Sequence, residues 1–384
     1  MCASIFSMNS YGILMMYDSN RFRGRRMRVK ALKDGDSIPE RMLAAYLTDP
    51  MQIELRQIPV PQIRDDEVLI RVESVGVCGS DVHYYEHGRI GRYVVERPLI
   101  LGHECAGTVV RVGDGVHHLR VGDRVAVEPG VTCGRCPACK SGRYNLCPDV
   151  QFLATPPVDG AFAQYLAHRA DFVYRIPDDM SFEQAALVEP FSVGLHALNR
   201  VRLQAGERVA IMGMGPVGLM CVIAAKMKGA SEIVVGDVEP RRLDVALQMG
   251  ATHAIHVGTQ AVGEVVQDLF GGEGVDVGIE TAGNPAALTS LFAMVRRGGR
   301  MGLVGMPPIA ENTINVTQFV DDEIEMCGVF RYANTYPAGI SLLRRIDTSS
   351  LITDAYPLSR VGEALERART NKAGSIKVMV YPQR

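Results

Sequence analysis

Between residues 51 and 175 the apolar positions fall in short β-branched runs such as "EVLIRVESVGV", "GTVVRVG" and "DRVAVEPG", separated by glycine-rich turns. Runs this short, so punctuated, predict a compact β-rich or barrel-like unit with sparse helical signals. After "MSFEQAALVEPFSVGLHALNRV" the pattern changes to strands alternating with helices: "RVAIMGMG", "VGLMCVIAAKMKGA", "EIVVGDV", "PRRLDVALQMGA", "AIHV", "VGEVVQDLFG", "VDVGIETAG", "PAALTSLFAMVRRGG" and "RMGLVGM". That alternation predicts a doubly wound parallel sheet, so the chain reads as α/β with two domains. The longest uncharged run, residues 209–225, is broken by glycines and a proline, which favours strand, turn and helix over a membrane span. Residues 1–41 lack an amphipathic period and carry the basic cluster "RFRGRRMRVK"; they read as a leader outside the fold, disordered or artefactual. Asp34, Asp36 and Glu40 disfavour an organellar targeting segment, and a chain starting at Met42 is expected to keep full activity.

Composition narrows the partners. With 47% apolar and 22% charged residues the 384-residue chain is an ordinary soluble protein, and a net charge of −2 offers no basic field for nucleic acid or an anionic membrane. A small molecule is the expected partner. Four of the nine cysteines lie between Cys133 and Cys147, and no secretory signal precedes them, which reads as a reducing, cytoplasmic compartment.

Gly213, Gly215 and Gly218 form G-x-G-x-x-G directly after one apolar strand and directly before an apolar helix. The first glycine permits a tight turn, the second lets the backbone approach a pyrophosphate, and the third lets helix and strand pack closely. Asp237, ending "EIVVGD" 19 positions after Gly218, is placed to accept hydrogen bonds from a ribose diol. Its carboxylate would repel a 2′-phosphate, so NAD is the expected cofactor, although Arg241 and Arg242 follow closely enough to answer that phosphate and keep NADP as the alternative.

Cys133, Cys136, Cys139 and Cys147 are separated by two, two and seven residues, short enough for one loop to wrap a tetrahedral ion. Four thiolates with no open position suit structural Zn²⁺. An iron–sulfur cluster is the rival reading, although the last gap is too long for a ferredoxin run, and disulfides fit the compartment poorly. A second cluster, His103, Glu104 and Cys105 in "LILGHECAG", cannot point all three adjacent side chains at one centre and needs help from elsewhere.

Help comes from "GVCGSDVHYYEHGRIG" and "ALVEPFSVGLHA", which with "GHECAG" resemble the zinc-dependent medium-chain dehydrogenase/reductase family from Met42 onward. "ATPPVDG" and "GVFRYANTYP" are similar to its polyol branch, the sorbitol, L-iditol and xylitol dehydrogenases. The resemblance implies a GroES-like catalytic domain of residues 42–188 and 327–384 around a Rossmann domain of residues 189–326. It implies a catalytic zinc held by Cys78, His103 and Glu104, with Glu189 near the metal directly or through water, hence two Zn²⁺ per chain. Ser80 and His83 are proton-relay candidates. Tyr84, Phe152, Glu189, Arg331 and Tyr332 are implied to meet the substrate, while Val217, Asp237, Arg242, Val304, Gly305, Met306, Val329, Phe330 and Arg331 are implied to lie beside NAD. The expected reaction is reversible NAD-linked oxidation of a polyol hydroxyl to a ketose. Threonine or butanediol dehydrogenase activity is the alternative, followed by a non-catalytic NAD-binding protein, and a homotetramer is implied. Cys105, Cys221 and Cys327 read as packing, and His117, His118, His253 and His256 as surface or packing groups.

Overall fold

Strand Glu67–Gly76 is the axis of the β-rich half. It pairs antiparallel with Glu104–Val112, Tyr165–Arg169 and the C-terminal strand Lys377–Tyr381. Val68, Leu69, Ile70, Val72 and Val75 along it are all buried, as a central strand covered on both sides requires. Because Lys377–Tyr381 closes this sheet, the last part of the chain returns to the half where it started. A computed structural model describes residues 38–384 except 307–310, 312 and 372, and Ile38–Arg384 pack as one unit.

The other half is a six-stranded, all-parallel sheet. Its strands are Arg208–Met212, Glu232–Asp237, His253–His256, Val275–Glu280, Val295–Leu303 and Glu325–Gly328. Numbered in chain order, they lie 3-2-1-4-5-6, the Rossmann arrangement, whose strand order reverses at Arg208–Met212. Val209, Ala210 and Ile211 are completely buried because helices cover both faces, which explains the unbroken apolar run read from the sequence. Helix Val188–Arg200 joins the halves: one buried cluster holds Ala106 and Ala126 of the β-rich sheet with Leu187, Phe191, Leu195, Ile211 and Leu219.

Four local expectations change. Of the expected leader, residues 1–37 lie outside the described residues, but Ile38–Arg41 belong to the folded unit. Arg41 opens strand Arg41–Asp49, and the Glu40 carbonyl accepts the Val60 N–H at 3.0 Å, a ladder bond that a start at Met42 would remove. The expected boundary between residues 326 and 327 falls inside Glu325–Gly328, which is bonded along its length to Val295–Leu303. That fifth strand starts at Val295, where the helical reading of "PAALTSLFAMVRRGG" continued; Gly298 and Gly299 disfavour helix there, and Gly298 has φ 68°. Finally, a helix, Gly79–His87, interrupts the β-rich half directly after the central strand, capped by Cys78 with Asp81 at its third position.

Candidate active site

Cys78, His103 and Glu104 come together where the central strand ends. Their ligand atoms lie within 4.8 Å of one another, with His103 and Glu104 buried. Glu104 sits directly opposite Gly76 in the strand pair, and a Cβ at Gly76 would stand 2.1 Å from Glu104 Oε2, so only glycine leaves the carboxylate its place. Gly102, with φ 87°, turns the chain into His103, and a Cβ there would press on the Phe162 ring at 2.8 Å. Asp81, wholly buried, accepts the Cys78 N–H at 3.0 Å and the Gly102 N–H at 2.9 Å, tying the two ligand segments together. Its Oδ1 also lies 3.5 Å from His103 Nδ1, the outer-shell partner that orients a metal-binding imidazole. Burial resists a proton on His103, yet the charges of Asp81 and Cys78 outweigh it and hold the imidazole well above its ordinary pKa. The site attracts positive charge.

Lys377 Nζ donates to both Glu104 oxygens at 2.7 Å and to the Val77 carbonyl at 3.2 Å, with lysine and glutamate both about 1% exposed. A carboxylate has roughly four lone-pair directions, so these two bonds leave acceptor capacity for a cation.

Glu189, in the first turn of Val188–Arg200, is buried and accepts the Tyr332 hydroxyl at 2.9 Å. It lies outside the group whose ligand atoms meet within 4.8 Å. Burial pushes its carboxyl up to about 7, against the pull of His103. Phe152 is buried with its ring 5.6 Å from that of His103, and the Arg331 guanidinium lies over that Phe152 ring, 3.9 Å from its centroid. Arg331 Nη1 is buried without a hydrogen-bond partner, a donor left for a bound molecule. Tyr84 is buried too, its phenol pushed up to about 12 by burial. Of the relay candidates, Ser80 is half-buried, whereas His83 is exposed and meets the His87 ring edge-on at 4.7 Å on its own helix.

The glycines of the turn after Arg208–Met212 have three different environments. Gly213 has φ 92°, and a Cβ on it would meet the Ala282 N–H at 2.8 Å; a Cβ on Gly218 would strike the Gly213 carbonyl at 1.8 Å. A Cβ on Gly215, the N-cap of Pro216–Met227, would meet nothing within 4 Å, so that side of the helix N-terminus is open to a phosphate. Asp237 accepts the backbone N–H groups of Met214 and Glu239, which fixes its carboxylate beside that turn. Arg242 Nε is buried without a partner, whereas Arg241 is engaged by the Gly374 carbonyl at 2.7 Å. Val304 and Gly305 both donate to the Glu280 carbonyl, and Val329 donates to that of Leu303, so Val304–Met306 and Val329–Arg331 leave the C-terminal ends of their strands, the ligand edge of such sheets.

Two family models match this chain: the alcohol dehydrogenase GroES-like domain over residues 64–178 and the zinc-binding dehydrogenase over residues 216–345. The sorbitol dehydrogenase of Bacillus subtilis (strain 168) is 58% identical over 350 residues, 91% of this chain and 99% of that protein. The chain belongs to the zinc-binding dehydrogenase family. Two solved structures show how far the likeness extends. An oxidoreductase/dehydrogenase of unknown specificity from Escherichia coli has a TM-score of 0.85 and 40% identity, covering 89% of this chain and 99% of that one. The 2R,3R-butanediol dehydrogenase of Bacillus subtilis has a TM-score of 0.81 and 31% identity, with the same coverage.

As a zinc-binding dehydrogenase the chain presents two donor sets that fit the metal. One thiolate, one imidazole and one carboxylate are a three-ligand set that leaves a position open. Cys133, Cys136, Cys139 and Cys147 gather within 4.8 Å as a closed four-sulfur set. Backbone N–H groups of Cys133, Cys136 and Cys139 point at neighbouring Sγ atoms at 3.4–3.5 Å, and Cys133 and Cys139 Sγ stand 4.0 Å apart, twice a disulfide length. All four are free cysteines, as is Cys105, which is buried beside Glu104 with its thiol pushed up to about 12. Asp81 and Lys377 are functional groups the sequence reading missed. Asp81 carried a signal, an acid three residues after a helix cap; Lys377 carried a weaker one, a lone charge in the apolar strand "IKVMVY".

Proposed function

We propose that this zinc-binding dehydrogenase oxidises a polyol hydroxyl reversibly to a ketose with NAD. The supporting observation is the polar lining near Cys78, His103 and Glu104, where Glu189 is held by Tyr332 and Arg331, over the Phe152 ring that faces His103, keeps a buried donor without a partner. Such a lining favours a chain of hydroxyls, because a simple alcohol would leave its polar groups unpaired. When bound, zinc supplies a Lewis acid and the nicotinamide an acceptor for the electron pair. Cys78, His103 and Glu104 are the residues to hold the catalytic zinc, with Glu189 reaching it directly or through water, and the four cysteines of residues 133–147 to hold a structural one.

The remaining work belongs to the chain. Asp81 keeps the His103 ring oriented, and Lys377 fixes Glu104. Phe152 forms an apolar wall that excludes water from one side, while Tyr84, Arg331, Tyr332 and Glu189 bind and orient the hydroxyls. Protons leave along Ser80 and His83 or along water. Asp237 takes the ribose diol, and its charge selects NAD over NADP. The protein works as a cytoplasmic homotetramer. Among the described residues no helix is long and apolar enough to cross a membrane.

Steady-state rates for sorbitol, xylitol, L-arabinitol, threonine and 2,3-butanediol, each with NAD and NADP, test the reading. The largest kcat/KM should belong to a polyol with NAD. Threonine or butanediol at the top would replace it with the alternative activity.

A further inference from the structure

The segment that carries Arg331 and Tyr332 is fastened to the four-cysteine loop. Arg331 and Asn334 both have left-handed backbones, φ 51° and 61°, a conformation that residues with a Cβ keep only where their surroundings impose it. On the near side of Arg331, the buried Asn145 donates its amide to the Phe330 carbonyl at 2.8 Å. On the far side of Tyr332, Asn334 donates its amide to the Gly142 carbonyl at 2.7 Å and its backbone N–H to Tyr144 Oη at 2.8 Å. Gly142, Tyr144 and Asn145 all lie between Cys139 and Cys147.

The anchoring side is itself fixed. Tyr144 donates its own hydroxyl to Glu128 Oε1 at 2.8 Å, and Tyr174 donates to Glu128 Oε2 at 2.9 Å, so the buried Glu128 ties the loop to strands Arg124–Val127 and Val173–Arg175. Between the two fastenings Arg331 lies over Phe152 and Tyr332 reaches Glu189. Releasing either end frees the backbone whose strained shape aims both side chains.

We propose that Asn145 and Asn334 are positioning residues for substrate recognition, holding the 330–334 turn in the shape that presents Arg331 and Tyr332. The role rests on the reading that these two side chains contact the substrate. Both asparagine amides are spent on backbone carbonyls, so the expected effect is on binding rather than on the chemical step.

The test compares Asn145→Ala, Asn145→Gln and Asn334→Gly with the wild-type holoenzyme, reading amide hydrogen exchange, zinc content, and kcat and KM for the best-oxidised alcohol of the panel. Asn334→Gly keeps the left-handed backbone accessible at an exposed site and so guards against simple misfolding. Faster exchange confined to peptides covering residues 329–336 is expected in Asn145→Ala and Asn334→Gly. With it, KM should rise roughly tenfold, about what one lost hydrogen bond gives, while kcat stays within about threefold and zinc content holds. Asn145→Gln, which keeps the donor, should recover part of the KM. Unchanged KM despite faster exchange overturns the proposal, as does a joint fall of kcat, KM and zinc content in all variants. If the wild type prefers a non-polyol, the polyol reading fails while the exchange and KM comparison still stands.

Discussion

Replacing Lys377 with methionine removes the ammonium bonded to Glu104 while keeping most of the side-chain volume, and leaves a carboxylate about 1% exposed without that counter-charge. At 2.7 Å the pair attracts by roughly 6 kcal/mol for an effective dielectric of about 20, set against the desolvation of both ions. Deleting one member of such a pair costs about 3–5 kcal/mol, because the survivor stays buried and unpaired. For a folded unit of this size each kcal/mol moves the melting temperature by roughly 1–2 °C, so metal-free Lys377→Met should melt about 5 °C below wild type. Bound zinc supplies the missing positive charge, so the gap should narrow when zinc is restored. The double variant Lys377→Met/Glu104→Gln, which removes both charges, should recover most of the loss. Melting curves in chelator and in zinc measure all of these; a metal-free single variant within about 1 °C of wild type would refute the reasoning.

Two more outcomes follow from buried carboxylates. Burial pushes Glu128 up to about 7 from an ordinary 4.5, against the two tyrosine hydroxyls that bond it. A raised folded pKa means stability that is present below about 4.5 and is lost as pH rises through about 7, a loss of roughly 3 kcal/mol that Glu128→Gln should flatten in denaturation curves across that window. For the cofactor, Asp237→Ala should raise the KM for NAD by roughly tenfold and narrow the preference over NADP, since the carboxylate beside the Met214 turn is lost; an unchanged preference would remove Asp237 from the ribose site.

What could be read from the chain was whatever sequence spacing carries. The glycine fingerprint lies within six residues and its three roles depend on local backbone, so Gly213, Gly215 and Gly218 were legible one by one. The four-cysteine loop was legible for the same reason. The pairing of His103 and Glu104 with Cys78, 25 residues upstream, came from resemblance, because only the register that sets Glu104 against Gly76 brings the segments together. Lys377 stands 273 residues from Glu104, and no periodicity connects positions that meet only when the C-terminal strand closes the first sheet. The helix after Cys78 was hidden by its nine-residue length inside a β-rich stretch, and the Val295 strand by apolar residues that suit either element.

Cys105 of "GHECAG" reads as packing, and the structure buries it in the strand beyond Glu104, paired with Val75. Zinc per chain measured together with polyol-dependent NADH formation in Glu104→Ala and Cys105→Ala tests the central claim most directly. Glu104→Ala should drop from two zinc ions to one and lose turnover, with Cys105→Ala keeping both. Full turnover in Glu104→Ala, or loss of zinc in Cys105→Ala alone, would contradict the account.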